Sequence, residues 1–143
     1  MRPVMRRVVT TARYAWALPA TFAGLLVSLV VFAFGARGRF VQGALEVAGG
    51  RVENCVLMLP RCFRFGAITF GHVIIGVHDE TLARHRLHEH VHIRQYERWG
   101  VFFFPLYLCS SLLQIARGRD PYLNNSFELE AFAKVSSFMP EIR

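Results

Sequence analysis

Lysine is almost missing from this chain. Lys134 is the only one, so arginine carries the formal net charge of +7. Acidic side chains are few as well, ten against seventeen basic ones. The arginines are scattered from Arg2 to Arg143. A nucleic-acid reader concentrates its charge on one face or in one module, so nucleic acid is not an expected partner. The cysteines Cys55, Cys62 and Cys109 contain no CxxC pair, which excludes the common zinc-ribbon and thioredoxin-like signatures. Cys55 and Cys62 leave two readings open, a bridge across a short loop in an oxidising compartment or buried free thiols. With 143 residues there is room for one domain.

Charge is absent altogether from YAWALPATFAGLLVSLVVFAFGA, residues 14–36. This run is long enough to cross a hydrocarbon core with some tilt and predicts a transmembrane helix. Tyr14 and Trp16 stand at one end, as interfacial aromatics do. Residues 1–13 form a basic tail with Arg2, Arg6, Arg7 and Arg13, against Arg37 and Arg39 on the other side. The positive-inside count therefore places the N-terminus in the cytoplasm as a single-pass anchor in the bilayer. The rival is a cleaved signal segment with its small residues at Ala33-Phe34-Gly35.

From Phe40 to Val77 short apolar runs alternate with glycine: FVQGALEV, RVENCVLMLP and AITFGHVIIGV. These predict a small, mostly antiparallel sheet, so the chain after the anchor is of the α+β class. Asp79 can cap a helix carrying Leu82, Ala83, Leu87, Val91 and Ile93 at helical spacing as far as Trp99, and Gly100 suits the position beyond its end. Residues 101–116 carry no charge but are short for a span and contain Pro105. A further helix is expected within residues 125–140, with Asn125 or Ser126 near its cap and Phe127, Ala131 and Val135 along one face.

The stretch HEHVHIRQYERWG, residues 88–100, is where chemistry is expected, the alternative being a histidine-rich surface helix. Residues four apart share a helix face, so His88 and His92 can aim both imidazoles at one zinc ion. Glu89, beside the first histidine, is placed to take a proton from zinc-bound water. A third ligand is expected from Glu128 or Glu130. These point about 200° apart on one helix, so at most one faces the metal. Oxyanion or substrate contacts fall to Tyr122, His72 or Tyr96, while Arg94, Gln95 and Arg98 read as a solvated face. The strand before the helix offers an edge for an extended peptide.

Taken together, HExxH and FELEAFA resemble the gluzincin metallopeptidases, especially small membrane-associated members. They pair HExxH with a glutamate in E-x-x-A-(D/N)-x-F-A on a second helix. The resemblance covers residues 79–139. It implies a zincin-like metal-binding domain over residues 40–143, with the sheet packed on a helix pair, Glu128 as third ligand and Glu130 as the fallback. It also implies a peptide or protein substrate. Phe132 departs from the pattern, standing where many of these families have Asp or Asn to support the histidines. The string is similar too to short bacterial membrane proteins, which implies the bacterial inner membrane. If Glu128 joins the histidines, residues 101–116 cannot cross the bilayer once. They are then expected to pack on the domain or dip into one leaflet. Two other readings stand beside a hydrolase: a zinc-stabilised membrane protein without turnover, and a metal-free membrane scaffold holding anionic headgroups through its basic residues.

Overall fold

The computed structural model describes residues 3–61 and 64–138. It is α+β. A long N-terminal helix, α1 (Pro3–Ala33), precedes strands β1 (Arg37–Val41) and β2 (Ala44–Ala48). A short helix α2 (Val52–Leu57) and strands β3 (Ala67–Phe70) and β4 (Val73–Gly76) follow. Then come α3 (Asp79–Trp99), a single 3-10 turn (Gly100–Phe102), α4 (Phe103–Ala116) and α5 (Ser126–Phe138). Helix α1 thus includes most of the expected basic tail. The possible partner of Cys55, Cys62, lies outside the described residues; Cys55 is half-buried and Cys109 exposed, both as free thiols.

Two tight hairpins build the sheet, and its order is β1-β2-β4-β3. The β1–β2 and β3–β4 pairs are antiparallel, but β2 and β4 run parallel. The expectation of a mostly antiparallel sheet is corrected to a mixed one. The parallel pair arises because RVENCVLMLP, expected as a strand, folds as α2, which buries Val52 and Val56 one helical turn apart. The chain thereby re-enters the sheet at β3, on the far side of β4, and turns back through β4 in the same direction as β2. One face of the sheet packs Val47, Val73 and Ile75 with Val31 of α1 and Val52 and Val56 of α2. The other face packs Ala44, Ala48 and Ile74 with Leu82 and Ile93 of α3.

On that second face Glu46, almost fully buried, is clamped by Arg86 (Nε–Oε1 2.6 Å) and Arg39 (Nε–Oε2 3.0 Å). Burial opposes ionisation, but the hydrogen bonds from Arg86 and Arg39 outweigh it and hold the carboxyl below its ordinary value. A folded-state pKa below the unfolded one stabilises the fold above the ordinary carboxylate range, and that contribution is lost as pH falls through the folded value. Glu46→Gln is therefore expected to lower stability near neutral pH by about 1–3 kcal/mol. It should also flatten the decline of Tm between about pH 5 and pH 3. Thermal scans across that window check both effects.

Helix α1 also packs against the rest of the fold. Its small or polar residues Ala17, Gly24 and Ser28 are buried along one side. A Cβ on Gly24 would come within 2.8 Å of the Cβ atoms of Phe70 and Val73, so glycine lets the β3–β4 hairpin lie against the helix. Beyond Tyr14, much of the remaining surface of α1, including Leu18, Phe22, Leu26 and Leu29, is exposed and apolar. By length and composition Val9–Ala33 is sufficient to cross a membrane. A second stretch, Asp79–Ala116, passes the same test when taken through the turn at Gly100.

That turn places the site. Gly100 has φ 57° and ψ −130° and ends α3, as its position in the sequence predicts. The chain then doubles back: Phe103 packs on Tyr96 and Phe127, with ring centroids 4.3 and 5.1 Å apart, and Tyr107 stacks on Phe127 at 6.3 Å. Pro105 falls in the first turn of α4, where its missing N–H costs no helical hydrogen bond. Asn125 caps α5, its Oδ1 accepting from the Phe127 N–H at 2.9 Å.

Candidate metal centre

The 3.6-residue period of α3 puts His88 and His92 on one face, and both are buried. Their Nε2 atoms lie 3.1 Å apart. From α5, the buried Glu128 brings Oε2 to 2.9 Å from His88 Nε2 and Oε1 to 3.4 Å from His92 Nε2. A tetrahedral site with metal–donor bonds of about 2.0–2.2 Å has neighbouring donors about 3.3 Å or slightly more apart. Two imidazole nitrogens and one carboxylate thus converge with close to that spacing, and the group could hold a metal ion. Burial disfavours the charged form of Glu128, yet hydrogen bonds with His88, His92 and Tyr107 prevail and hold its pKa at about 2. The carboxyl is therefore ionised, as a ligand must be.

Around the three residues is a shell that the sequence did not reveal. His92 turns its Nδ1 to Gln95 Oε1 at 2.8 Å, and Gln95 Nε2 in turn donates to Phe127 O at 3.0 Å and Glu130 Oε2 at 2.9 Å. Gln95 is buried, so its expected place on a solvated face is corrected; it follows His92 by three residues and shares its side of α3. Such a bond fixes the imidazole so that Nε2 is the nitrogen free to ligate. Tyr107 of α4 donates to Glu128 Oε1 at 2.7 Å, a residue that no motif marks. Phe132 packs its ring 5.0 Å from that of His88, filling by contact the position where the resemblance leads one to expect a hydrogen-bonding Asp or Asn. Glu130 is engaged by Gln95 and by Lys134 at 2.6 Å, outside the ligand cluster.

Glu89 is also buried and accepts a hydrogen bond from Thr69 of β3, 2.7 Å from Oγ1 to Oε2. It shares with His88, His92 and Glu128 a cavity of about 470 Å³ that Tyr96 and Tyr122 also line. His72 is not there: it stacks on Tyr14 at 4.0 Å and meets Glu97 at 3.2 Å, so its expected role at this site is corrected. The β3–β4 turn carries it to the opposite side of α3.

One wall of the cavity is β3 itself, an edge strand. The Val77 N–H donates to Gly66 O at 3.0 Å. Antiparallel pairs alternate, so Ile68 and Phe70 continue the inward-bonded set. Ala67 and Thr69 therefore turn their backbone N–H and C=O groups to the open edge. Comparisons with protein-family models, with curated proteins and with solved structures found no match, so what this site does rests on its own geometry.

Proposed function

We propose that the chain is a membrane-anchored, zinc-dependent hydrolase of the gluzincin type, acting on peptide bonds. The observation that carries this reading is the convergence of His88, His92 and Glu128 in one cavity that also holds Glu89 and runs beside an open strand edge. The donor set fits zinc: two neutral imidazoles and a carboxylate leave a fourth position free, as in catalytic rather than structural sites. Bound there, zinc supplies Lewis acidity toward a carbonyl and a lowered pKa for water. Glu89, oriented by Thr69, takes the proton from the attacking water and passes it to the departing amine. Ala67 and Thr69 offer backbone partners that hold a peptide extended across the site. Tyr107 steadies Glu128, and Tyr122 or Tyr96 provides a hydroxyl for the developing oxyanion.

Exchange of Glu89 for Gln tests the mechanism. The variant should keep the zinc stoichiometry of the wild type and lose hydrolysis of a quenched-fluorescent peptide library by about 10²–10⁴-fold. Undiminished turnover would remove Glu89 from the chemistry. A second reading, zinc as a staple without turnover, draws on the burial of all three ligands and the apolar ring of Phe132 against His88. It requires that neither wild type nor Glu89→Gln cleaves any member of the library.

The arginine count favours a cytoplasmic N-terminus, and the resemblance to short bacterial membrane proteins is the ground for taking the membrane as a bacterial inner membrane. Reporter fusions after Gly100 and after Arg119 should then report the same compartment. Opposite compartments would separate Glu128 from the histidines and end the three-ligand reading.

A further inference from the structure

On the side of α3 away from the metal ligands lies a second cavity, about 650 Å³ in volume. Its walls come from residues 10–14 of α1, both hairpin turns and α3. The charges it gathers are mostly of one sign, Arg13, Arg94 and Arg98 against the single carboxylate of Glu97, and the imidazoles of His72 and His90 line it beside them. Glu97 is itself engaged by His72 at 3.2 Å. Arg98 lies with its guanidinium carbon 5.2 Å from the ring centroid of Trp99. Among the described residues, no hydrogen bond or ion pair engages Arg13 or Arg94. His90 adds an independent sign, because its Nε2 is buried and has no hydrogen-bond partner among the described residues. Buried polar atoms are rarely left so. Three guanidinium groups around a pocket with an unmatched imidazole nitrogen call for a compact anion with several acceptor oxygens.

Phosphate fits that demand, since a guanidinium fork bonds two of its oxygens at once. The position in the fold says where such a phosphate would come from. The cavity sits at residues 10–14, the start of the apolar stretch Val9–Ala33, beside the interfacial residue Tyr14. A helix of this kind places those residues at headgroup depth. We propose that this cavity binds a phosphate group, supplied by an anionic lipid headgroup at the membrane surface. It is distinct from the metal centre and does not depend on it.

The test uses the full chain purified in a non-ionic detergent, titrated separately with short-chain phosphatidic acid, with phosphatidylcholine and with inorganic phosphate. Native mass spectrometry counts bound lipid, and thermal shift reports all three titrants. Expected is one phosphatidic acid per chain, bound at least about tenfold more weakly by the Arg13→Gln/Arg94→Gln variant. The Arg117→Gln/Arg119→Gln variant, which keeps the same net charge but alters a distant turn, should bind as wild type does. Stabilisation by inorganic phosphate, lost in the same double variant, would support the phosphate site but assign it to a soluble ligand. Equal binding of phosphatidylcholine, or equal weakening by both double variants, would overturn the proposal in favour of diffuse adsorption. Because Arg94 is exposed, Arg94→Gln alone serves if the double variant does not fold.

Discussion

Replacing Glu128 with alanine is expected to strip the metal from the protein. Purified wild-type chain should carry one zinc ion, and Glu128→Ala and His92→Ala should each lose affinity by more than about 100-fold. That bound follows because even the outer partners of metal ligands are worth about 10–100-fold, and these two residues supply donor atoms directly. Glu130→Ala is the matched control. It removes a neighbouring carboxylate that contacts Gln95 and Lys134 but no ligand atom, so zinc should stay. Gln95→Leu should fall between the two, weakening zinc about 10–100-fold by releasing the His92 ring. Elemental analysis with competition by a graded chelator measures the whole series. If wild type holds no zinc even after reconstitution, HEHVHIRQYERWG is a histidine-rich helix, and a membrane scaffold becomes the better account. If Glu130→Ala loses zinc as fully as Glu128→Ala, the ligand assignment on α5 is wrong.

The second large effect is expected at Gly100. Its backbone is left-handed, and an added Cβ would lie 2.5 Å from the indole Nε1 of Trp16. With φ 57° and ψ −130°, this sparsely populated conformation costs a non-glycine residue about 1–3 kcal/mol before any contact is counted. The collision with Trp16 adds to this, because α1 is held by the close approach of Gly24 to Phe70 and Val73. Gly100→Ala should therefore lower stability by more than about 2 kcal/mol, a fall in Tm of roughly 5–15 °C for a domain of this size. Zinc affinity should drop with it, since the turn brings Tyr107 back to Glu128. Thermal unfolding of Gly100→Ala, Trp16→Ala and the double variant separates the two causes. Relief of the collision by Trp16→Ala should recover part of the loss and leave the backbone cost. A Gly100→Ala protein as stable as wild type would mean that the turn does not set the position of α4.

The parts of this fold that could be read from sequence are those fixed by local spacing. The pair His88 and His92, the end of α3 at Gly100 and the capped helix holding Glu128 depend only on period and on residue types that start or stop helices. Neighbour relations did not follow in the same way. Val52–Leu57 reads as a strand because a segment this short, with Val52, Val56 and Leu57 its clearly apolar members, does not fix the period, and only the packing of Val52 and Val56 with Val47, Val73 and Ile75 decides for a helix. The parallel β2–β4 pair follows from that choice. Gln95 and Tyr107 stayed hidden for another reason. A glutamine three residues after a histidine is unremarkable until the far helix supplies Phe127 O and Glu130 for its amide to hold. Tyr107 reaches Glu128 only because the chain reverses at Gly100. The seam of Ala17, Gly24 and Ser28 was masked by the uniform hydropathy of the run around it, which signals a bilayer and is silent about the protein lying along one side.

The open edge of β3 has a cost of another kind. A strand whose outward N–H and C=O groups await a partner will accept any extended chain, including the same strand of a second molecule, and unprotected edges seed ordered aggregates. Here the strand is four residues long and ends in a turn closed against α1. Only Ala67 and Thr69 present free groups, too few for two copies to hold each other well in water. Shortness thus acts as a safeguard for solubility, and a variant that extended β3 by a few residues would trade that safeguard for stickiness during expression and storage.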